Sequence, residues 1–336
     1  MKYIYKTIDL FAGIGGIRLG FEQTKRIKNL FSSEIDPFAC ITYEKNFGEN
    51  PSCDITGVDE KKLPDFDILL AGFPCQAFSI AGRRCGFEDT RGTLFFDVAR
   101  IIKEKQPQAF LLENVKGLTH HDKGRTLQTI LNTLREDLGY TVYTQLLNAK
   151  DYSIPQKRER IYIVGFKEET DFEFPKTKKL TKSVKDLLET NEVSSKYYIS
   201  DTYLKTLKNH RARHEAKGNG FGFEILKPDG ICNTLVVGGM GRERTLVIDD
   251  RLTDFVPKTN IKGSINTEFI RKTTPREWAR FQGFPDTYTI PVSDAQAYKQ
   301  FGNSVCVPVI NAIAELIIKG LDDNAEIKNK QQRIAS

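Results

Sequence analysis

The chain has 336 residues, of which 28% are charged and 39% hydrophobic, and its formal net charge is +6. This composition is that of an ordinary globular protein, and the length favours two domains over one. No apolar run approaches the length needed to cross a bilayer, and the N-terminus lacks the apolar core of a signal peptide. We therefore expect a cytoplasmic protein without a membrane partner, and the charge permits a polyanionic partner without requiring one.

The six cysteines lie at positions 40, 53, 75, 85, 232 and 306. No two of them are separated by only two or three residues, which argues against a zinc knuckle or a thioredoxin-like pair. We therefore expect reduced thiols and no metal ion.

Strand and helix patterns alternate over the first 166 residues. Strand-like apolar segments lie at residues 3–11, 30–35, 67–71, 109–113, 140–148 and 160–166. Helical patterns lie between them, at residues 16–21, 37–46, 93–105 and 124–138. This alternation predicts an α/β fold with a doubly wound, mostly parallel sheet and helices on both faces.

The composition changes after residue 166. Residues 167–191 are charged and resemble a connector, and residues 195–272 are rich in Gly, Asn, Arg and Lys with only short β-like stretches. Helical patterns return at residues 275–282 and 307–319. We predict a first domain of residues 1–184, completed by 273–330, and a smaller, irregular, β-rich domain at 185–272.

A glycine-rich loop joins the first predicted strand to the first predicted helix. It reads Asp9-Leu10-Phe11-Ala12-Gly13-Ile14-Gly15-Gly16. Its glycines allow a tight turn and a close approach of backbone to a ligand. The pattern is G-x-G-G, which argues against the G-x-G-x-x-G of nicotinamide enzymes. A purely structural turn is an equally open interpretation.

Two acidic residues add to this loop. Glu34 lies 21 residues after Gly13, at the end of the second predicted strand. A carboxylate there can accept hydrogen bonds from ribose hydroxyls, although a surface carboxylate is the alternative. Asp54, near the third strand, could accept one from an adenine amino group. Because no lysine and no phosphate-cradling loop accompanies them, a cofactor that contains adenosine but no phosphates fits this site, and S-adenosylmethionine meets that description.

A cysteine follows the apolar strand at residues 67–72, in the segment Phe73-Pro74-Cys75. The carboxyl ends of parallel strands open into the ligand crevice, so Cys75 is a candidate nucleophile. A buried structural thiol is equally open. Glu113 ends another apolar strand at the same edge and is a candidate acid–base partner, or a simple turn cap.

Six segments together resemble the cytosine-5 DNA methyltransferase family, of the bacterial restriction–modification type. They are residues 9–16, 72–76, 113–115, 156–160, 274–278 with 282–285, and 300–305, in the family's order. The resemblance implies the S-adenosylmethionine-dependent methyltransferase fold, with residues 185–272 as the target-recognition domain. It implies double-stranded DNA as partner and no metal. We expect a monomer, and the sequence leaves open whether a cognate restriction endonuclease is encoded with it.

The same resemblance implies a covalent mechanism on a cytosine flipped out of the duplex. The Cys75 thiolate would add to carbon 6 and Glu113 would hydrogen-bond ring nitrogen 3 and the amino group. Arg160 would contact the carbonyl oxygen, and Arg158 would support the pocket. S-adenosylhomocysteine would be the second product.

The resemblance also assigns binding residues. Cofactor contacts fall to Phe11, Gly13, Gly15, Gly16, Glu34, Ile35, Asp54, Ile55, Pro74, Leu94, Asn303 and Val305. The predicted DNA contacts are Gln76, Ser79 and the Thr234-Leu235 pair, which resembles a pair in the family's recognition region. Arg242 and Arg244, which follow the glycine-rich residues 238–241, are further candidates for guanine readout or phosphate contact. For either of these two arginines, a solvated loop is an equally open interpretation.

Three other activities compete with this one. Methylation of an exocyclic amino group calls for an Asp/Asn-Pro-Pro-aromatic loop, where this chain has Phe73-Pro74-Cys75-Gln76. Methylation of transfer RNA is a closer alternative. The sizeable glycine-rich insert favours duplex DNA over transfer RNA as the substrate. A DNA-binding regulator without catalysis is disfavoured because both Cys75 and Glu113 are present.

Overall fold

The computed structural model describes residues 3–74, 94–220, 222–238, 241–256 and 263–335, with side chains to residue 331. The predicted site residues Cys75, Gln76 and Ser79 lie outside the described residues. The chain divides into two compact units. The first unit contains residues 1–148, 159–177 and 307–336, and the second contains residues 149–158 and 178–306.

Strands and helices are numbered in chain order. The strands are β1 (Tyr5–Leu10), β2 (Ile27–Ser33), β3 (Ile68–Ala71), β4 (Ala109–Val115), β5 (Thr141–Asn148), β6 (Glu159–Phe166), β7 (Leu246–Ile248) and β8 (Ile270–Lys272). The helices are α1 (Gly16–Glu22), α2 (Pro37–Phe47), α3 (Leu94–Lys105), α4 (Arg125–Asn132), α5 (Asp201–Glu215), α6 (Pro275–Phe281), α7 (Asp294–Asn303) and α8 (Val307–Ala335).

Within the described residues, the first unit has a six-stranded sheet in the order β2-β1-β3-β4-β6-β5. Strands β2, β1, β3 and β4 pair in parallel, whereas β6 is antiparallel to both β4 and β5. This arrangement confirms the predicted mostly parallel α/β sheet. The chain moves outward from β1 to β2 and then returns to β3 on the other side of β1. Ligands of such sheets bind beyond the carboxyl ends of the strands at this switch point.

The apolar strands of this sheet are covered on both faces. Strand β3 is buried along its whole length, as expected of a central parallel strand. Helix α3 packs Phe95, Val98 and Ile102 into the core on one side. Helices α1 and α8 contact each other where a Cβ on Gly20 would lie 2.5 Å from Ile310 Cγ2. A glycine at position 20 therefore lets these two helices approach closely.

One apolar stretch of the described chain, residues 294–331, has the length and composition of a membrane-spanning helix. The structure buries 67% of its most apolar window inside the protein. Ile310, Ile313 and Ile317 of α8, for instance, are fully buried. A core helix has the same composition, so this burial accounts for the apolar stretch.

The second unit contains more of the chain than the predicted insert at 185–272. The guanidinium of Arg271, on β8, donates to Glu277 of α6 at 2.8 Å and to Asp249 at 2.7 Å, and all three side chains are buried. Trp278 Nε1 also donates to Thr273 Oγ1 at 2.9 Å. These bonds tie α6 to the β7–β8 pair. The predicted boundary at residue 273 therefore differs from the structure, which groups residues 273–306 with the second unit.

A helix occupies part of the insert for which only short β-like stretches were predicted. Helix α5 has 15 residues, and Ser200 Oγ caps it by accepting from the backbone N–H of Tyr203. Only Leu204 and Leu207 of this helix are buried, so its apolar stripe is too short to stand out in the sequence. The strands β7 and β8 have three residues each.

Candidate active site

The glycine-rich loop after β1 lies at the switch point of the sheet and uses left-handed backbone. Phe11, Gly13 and Gly15 have φ angles of 55°, 56° and 74°. A Cβ on Gly15 would overlap the Phe47 ring, whereas a Cβ on Gly13 would meet nothing within 4 Å. Gly15 is therefore required by both backbone and packing. The open space beside Gly13 leaves room for a ligand.

Glu34, just after β2, binds this loop directly. Its Oε2 accepts from the backbone N–H of Gly13 at 2.7 Å, and its Oε1 accepts from Ile35 and Asp36 at 2.8 and 2.7 Å. Oε2 accepts only one of these bonds and keeps a free lone pair, so a ribose hydroxyl can still donate to Glu34. Ile35 is 73% exposed beside it and offers an apolar platform.

Asp54 and Ile55 begin a short helical turn near the same edge. Asp54 Oδ1 accepts from the backbone N–H and the hydroxyl of Thr56, at 3.0 and 2.8 Å, and these bonds lower the pKa of Asp54. The Asp54 carboxylate is exposed and Ile55 is buried. The exposed carboxylate of Asp54 is available for the predicted contact with adenine, whereas Ile55 is only 3% exposed.

Glu113 and Arg160 of the first unit form a largely buried ion pair. Glu113 lies near the end of β4, and Arg160 is the second residue of β6, opposite Val115. In this register Glu113 and Arg160 are diagonal neighbours on one face. Their side chains form an ion pair with 3.2 Å between Arg160 Nε and Glu113 Oε1, and they are only 14% and 11% exposed.

The segment that leads to Cys75 ends beside this pair. A Cβ on Gly72 would lie 3.7 Å from Glu113 Oε2. Asn114 Nδ2 donates to the backbone oxygen of Phe73 at 2.8 Å, in a buried position. Pro74, the last described residue before the gap at 75–93, is exposed. Leu94, the first described residue after this gap, is half-buried. Asn114 had no predicted role, although it stands in the quoted Glu113-Asn114-Val115 motif.

Asp9 is a second residue for which the sequence predicted no role. It lies on β1 with 1% exposure, and neither carboxylate oxygen has a hydrogen-bond partner among the described residues. Burial raises its pKa to about 8, while nearby Arg18 lowers it and Glu34 and Glu22 raise it. Buried polar groups are nearly always paired, so this one calls for an explanation. Its place at the start of the glycine-rich motif was the available signal.

Arg158, Asn303 and Val305 belong to the second unit. Arg158 is 2% exposed and donates to the backbone oxygens of Leu235, Gly302 and Ser304. Asn303 is exposed at the end of α7, and Val305 is buried. Their assigned roles at the cytosine and the cofactor remain predictions.

The predicted DNA contacts of the second unit differ in exposure. Thr234 Oγ1 donates to the backbone oxygen of Lys157 at 2.5 Å, and the side chain of Leu235 is 1% exposed. Arg242 and Arg244 are exposed, and the Arg242 guanidinium lies 5.5 Å from the centre of the Tyr298 ring. Leu235 is buried as a whole, and its backbone N–H and carbonyl oxygen are bonded to Gln156 and Arg158, so neither its side chain nor its backbone is exposed for a DNA contact.

Within the described ranges, no group of three or more His, Cys, Asp or Glu side chains is arranged to hold a metal ion. The described thiols of Cys40, Cys53 and Cys232 have raised pKa values, chiefly because of burial. None of the three thus has the lowered pKa of an activated nucleophile.

Comparison with known proteins gives a consistent result. Residues 5–319 match the family described as C-5 cytosine-specific DNA methylase. Type II methyltransferase M.HpaII of Haemophilus parainfluenzae is 62% identical over 94% of this chain and 89% of its own. M1.ScrFI of Lactococcus lactis subsp. cremoris is 51% identical over 95% and 79% of the two chains. The solved structure of the Entamoeba histolytica methyltransferase EhMeth shares the fold, with a TM-score of 0.74, 20% identity, and 96% and 99% coverage.

Proposed function

The chain belongs to the C-5 cytosine-specific DNA methylase family, and we propose that it methylates one cytosine within a specific double-stranded DNA sequence. It is a DNA cytosine-5-methyltransferase of the type II restriction–modification class. Its proposed biological role is to protect host DNA from a cognate endonuclease. The observation that carries the mechanism is the buried Glu113–Arg160 pair beside the segment that leads to Cys75.

Carbon 5 of cytosine is a poor nucleophile, so the ring must first be activated. The Cys75 thiolate forms a bond to carbon 6, which pushes an electron pair toward carbon 5 and the ring nitrogens. Glu113 accepts from the exocyclic amino group and, when protonated, donates to nitrogen 3. Arg160 donates to the carbonyl oxygen and holds the Glu113 carboxylate in place at 3.2 Å. Once carbon 5 has gained the methyl group that the cofactor would supply, loss of the carbon-5 proton to a base breaks the sulfur–carbon bond and frees Cys75.

The residues at the switch point fit S-adenosylmethionine. This cofactor, when bound, supplies an electrophilic methyl group. Asp9 has an unpartnered buried carboxylate suited to an ammonium group, and Glu34 keeps capacity for ribose hydroxyls. The open space at Gly13 and the exposed Ile35 side chain suit the close approach of an adenosine. These four residues are the proposed core of the cofactor site.

The target carbon lies inside the DNA duplex, so we include base flipping in the proposal. Unstacking a base costs a few kcal/mol, which contacts with the pocket and the phosphates must offset. Thr234, Arg242 and Arg244 are the proposed DNA contacts among the described residues. The two arginines are exposed, as phosphate or guanine contacts require.

The direct test is methyl transfer by the purified chain to plasmid DNA and to transfer RNA, followed by bisulfite sequencing. We expect methylation at carbon 5 of one cytosine in a single DNA sequence context. The Cys75→Ser variant should lose methylation and keep DNA binding, and Cys53→Ser serves as the matched thiol control. Activity on transfer RNA alone, or full activity of Cys75→Ser, would contradict the proposal.

The cofactor assignment has its own measurement. Glu34→Ala should weaken S-adenosylmethionine binding, because it removes the proposed ribose acceptor and the bond to Gly13. Calorimetric titration of the cofactor into each variant, without DNA, measures this effect. Glu44→Ala, on the neighbouring helix α2, serves as the control. An unchanged dissociation constant in Glu34→Ala would remove the ribose assignment.

A further inference from the structure

Residues 155–158 of the second unit run parallel to residues 232–235. Lys157 N donates to the backbone oxygen of Cys232, and Cys232 N donates to that of Pro155, both at 2.8 Å. Thr234 Oγ1 donates to the backbone oxygen of Lys157 at 2.5 Å. The predicted DNA-contacting residue Thr234 is therefore held by backbone of the Gln156-Lys157-Arg158 segment.

Two buried side chains of this segment hold the backbone of Leu235 from both sides. Gln156 Oε1 accepts from Leu235 N at 3.2 Å, and Arg158 Nη1 donates to Leu235 O at 3.1 Å. Gln156 and Arg158 are 0% and 2% exposed. Residues 233–238 form no helix or strand, so these side-chain bonds supply much of what determines their conformation.

The same two side chains reach the last two motifs of the chain. Gln156 Nε2 donates to Phe281 O at 2.6 Å, and Arg158 Nη2 donates to the backbone oxygens of Gly302 and Ser304. Gly302 also has no room for a side chain, because a Cβ there would lie 2.6 Å from Val237 Cγ2. Val237 and the preceding Val236 are 45% and 38% exposed.

We propose that Gln156, Arg158 and Gly302 are positioning residues for DNA recognition, which set sequence specificity by holding the segment Thr234–Val237 in one arrangement. This inference rests on the proposed function. Arg158 acts through Leu235 and contacts no base. A recognition side chain must be held to within about half an ångström to discriminate one base pair from another. Loosening this segment therefore lowers the discrimination between the correct DNA sequence and sequences that differ by one base pair. It lowers the rate of methylation at the correct sequence less.

The experiment compares methylation at the wild-type site with methylation at sequences that differ from it by one base pair, by bisulfite sequencing of one plasmid. This ratio is independent of the fraction of folded enzyme. Gly302→Ala should reduce it about tenfold, the discrimination that one base pair typically provides. The double variant Val237→Ala/Gly302→Ala should restore most of the ratio, because it removes the overlapping methyl group.

Arg158→Lys should also lower the ratio, since one ammonium group cannot reach three separate carbonyls. Arg271→Lys is the matched control, because Arg271 is equally buried in the same unit and its partners are the carboxylates of Asp249 and Glu277. It should lower the unfolding temperature and leave the ratio unchanged.

A wild-type ratio in folded Gly302→Ala would overturn this inference, as would a double variant no more specific than the single one. If the wild-type enzyme methylates no cytosine at carbon 5, the proposed function itself fails. The two failures are therefore distinguishable in the same data.

Discussion

The two units of this protein hold their functional residues in different ways. In the first unit, Glu113 and Arg160 meet because the register of β4 and β6 makes them diagonal neighbours. In the second unit, Thr234 and Leu235 are held by hydrogen bonds to residues 156–158. These partners are separated from them by 77 to 79 positions in the sequence. A site built on regular strands is positioned more precisely than one on loops, whereas an irregular recognition segment depends on each of its anchors.

The largest expected effect is on the strand-built site. Glu113→Gln removes the negative charge that pairs with Arg160 and the group that exchanges a proton with cytosine. Proton transfer by a positioned side chain typically contributes about 10²- to 10⁴-fold to rate, so single-turnover methylation should fall by that factor. Glu159→Gln, whose carboxylate pairs with Lys116 at the surface, is the control and should stay within a few-fold of wild type. Equal losses in both variants would contradict the assigned role.

The second prediction concerns the stability of the recognition unit. Glu277→Gln leaves the buried Arg271 guanidinium with only Asp249 as a charged partner. Breaking a buried ion pair costs about 3–5 kcal/mol, so the free energy of unfolding should drop by that amount in urea titrations. Glu268→Gln removes an exposed pair with Lys208 and should cost about 1 kcal/mol or less. Similar costs for both variants would show that the buried cluster is not what holds α6.

Sequence patterns predict the first unit well and the second poorly. The strands, the glycine-rich loop and the carboxylate at the end of β4 follow from local apolar runs and turn residues. Helix α5 was missed because only Leu204 and Leu207 are buried. The bonds of Gln156 and Arg158 were also missed, since they join residues far apart in the chain. Asp9 was overlooked because a buried, unpartnered carboxylate is visible only in three dimensions.

The third prediction tests Asp9 through pH. Its pKa of about 8 in the folded protein lies above the roughly 3.9 of an unfolded chain, so the folded state holds an extra proton between these values. The stabilisation is complete below about pH 4 and is lost as the pH rises through 8, with a slope of at most about 1.4 kcal/mol per pH unit.

The Asn side chain of Asp9→Asn stays neutral at every pH. The free energy of unfolding of this variant, minus that of the wild type, should therefore increase from pH 5 to pH 8 and stay constant above pH 8. Thermal unfolding of the cofactor-free protein measures the difference. Asp65→Asn, an exposed carboxyl paired with Lys105, should give a curve parallel to wild type. A constant difference between Asp9→Asn and wild type across this range would refute the assignment.

The smallest expected effect is the difference in stability between two glycine-to-alanine variants. This difference separates the cost of backbone strain from the cost of overpacking. Gly15 and Gly48 have φ angles of 74° and 75°, but only Gly15 lacks space for a Cβ, because the Phe47 ring fills it. An alanine in left-handed backbone costs about 1–2 kcal/mol at either position. Gly15→Ala should cost about 1–3 kcal/mol more than Gly48→Ala, as overpacking does. Equal free energies of unfolding would mean that Phe47 moves aside without cost.

The central claim is that Cys75 attacks carbon 6 of the target cytosine, and 5-fluorocytosine tests it most directly. Fluorine at carbon 5 cannot leave as a cation, so after methyl transfer the sulfur–carbon bond cannot break. With DNA containing this base at the methylated position, and S-adenosylmethionine, we predict a denaturation-resistant complex with the DNA attached to Cys75 in peptide mass spectra. Attachment at another residue, or continued turnover without a complex, would contradict the account.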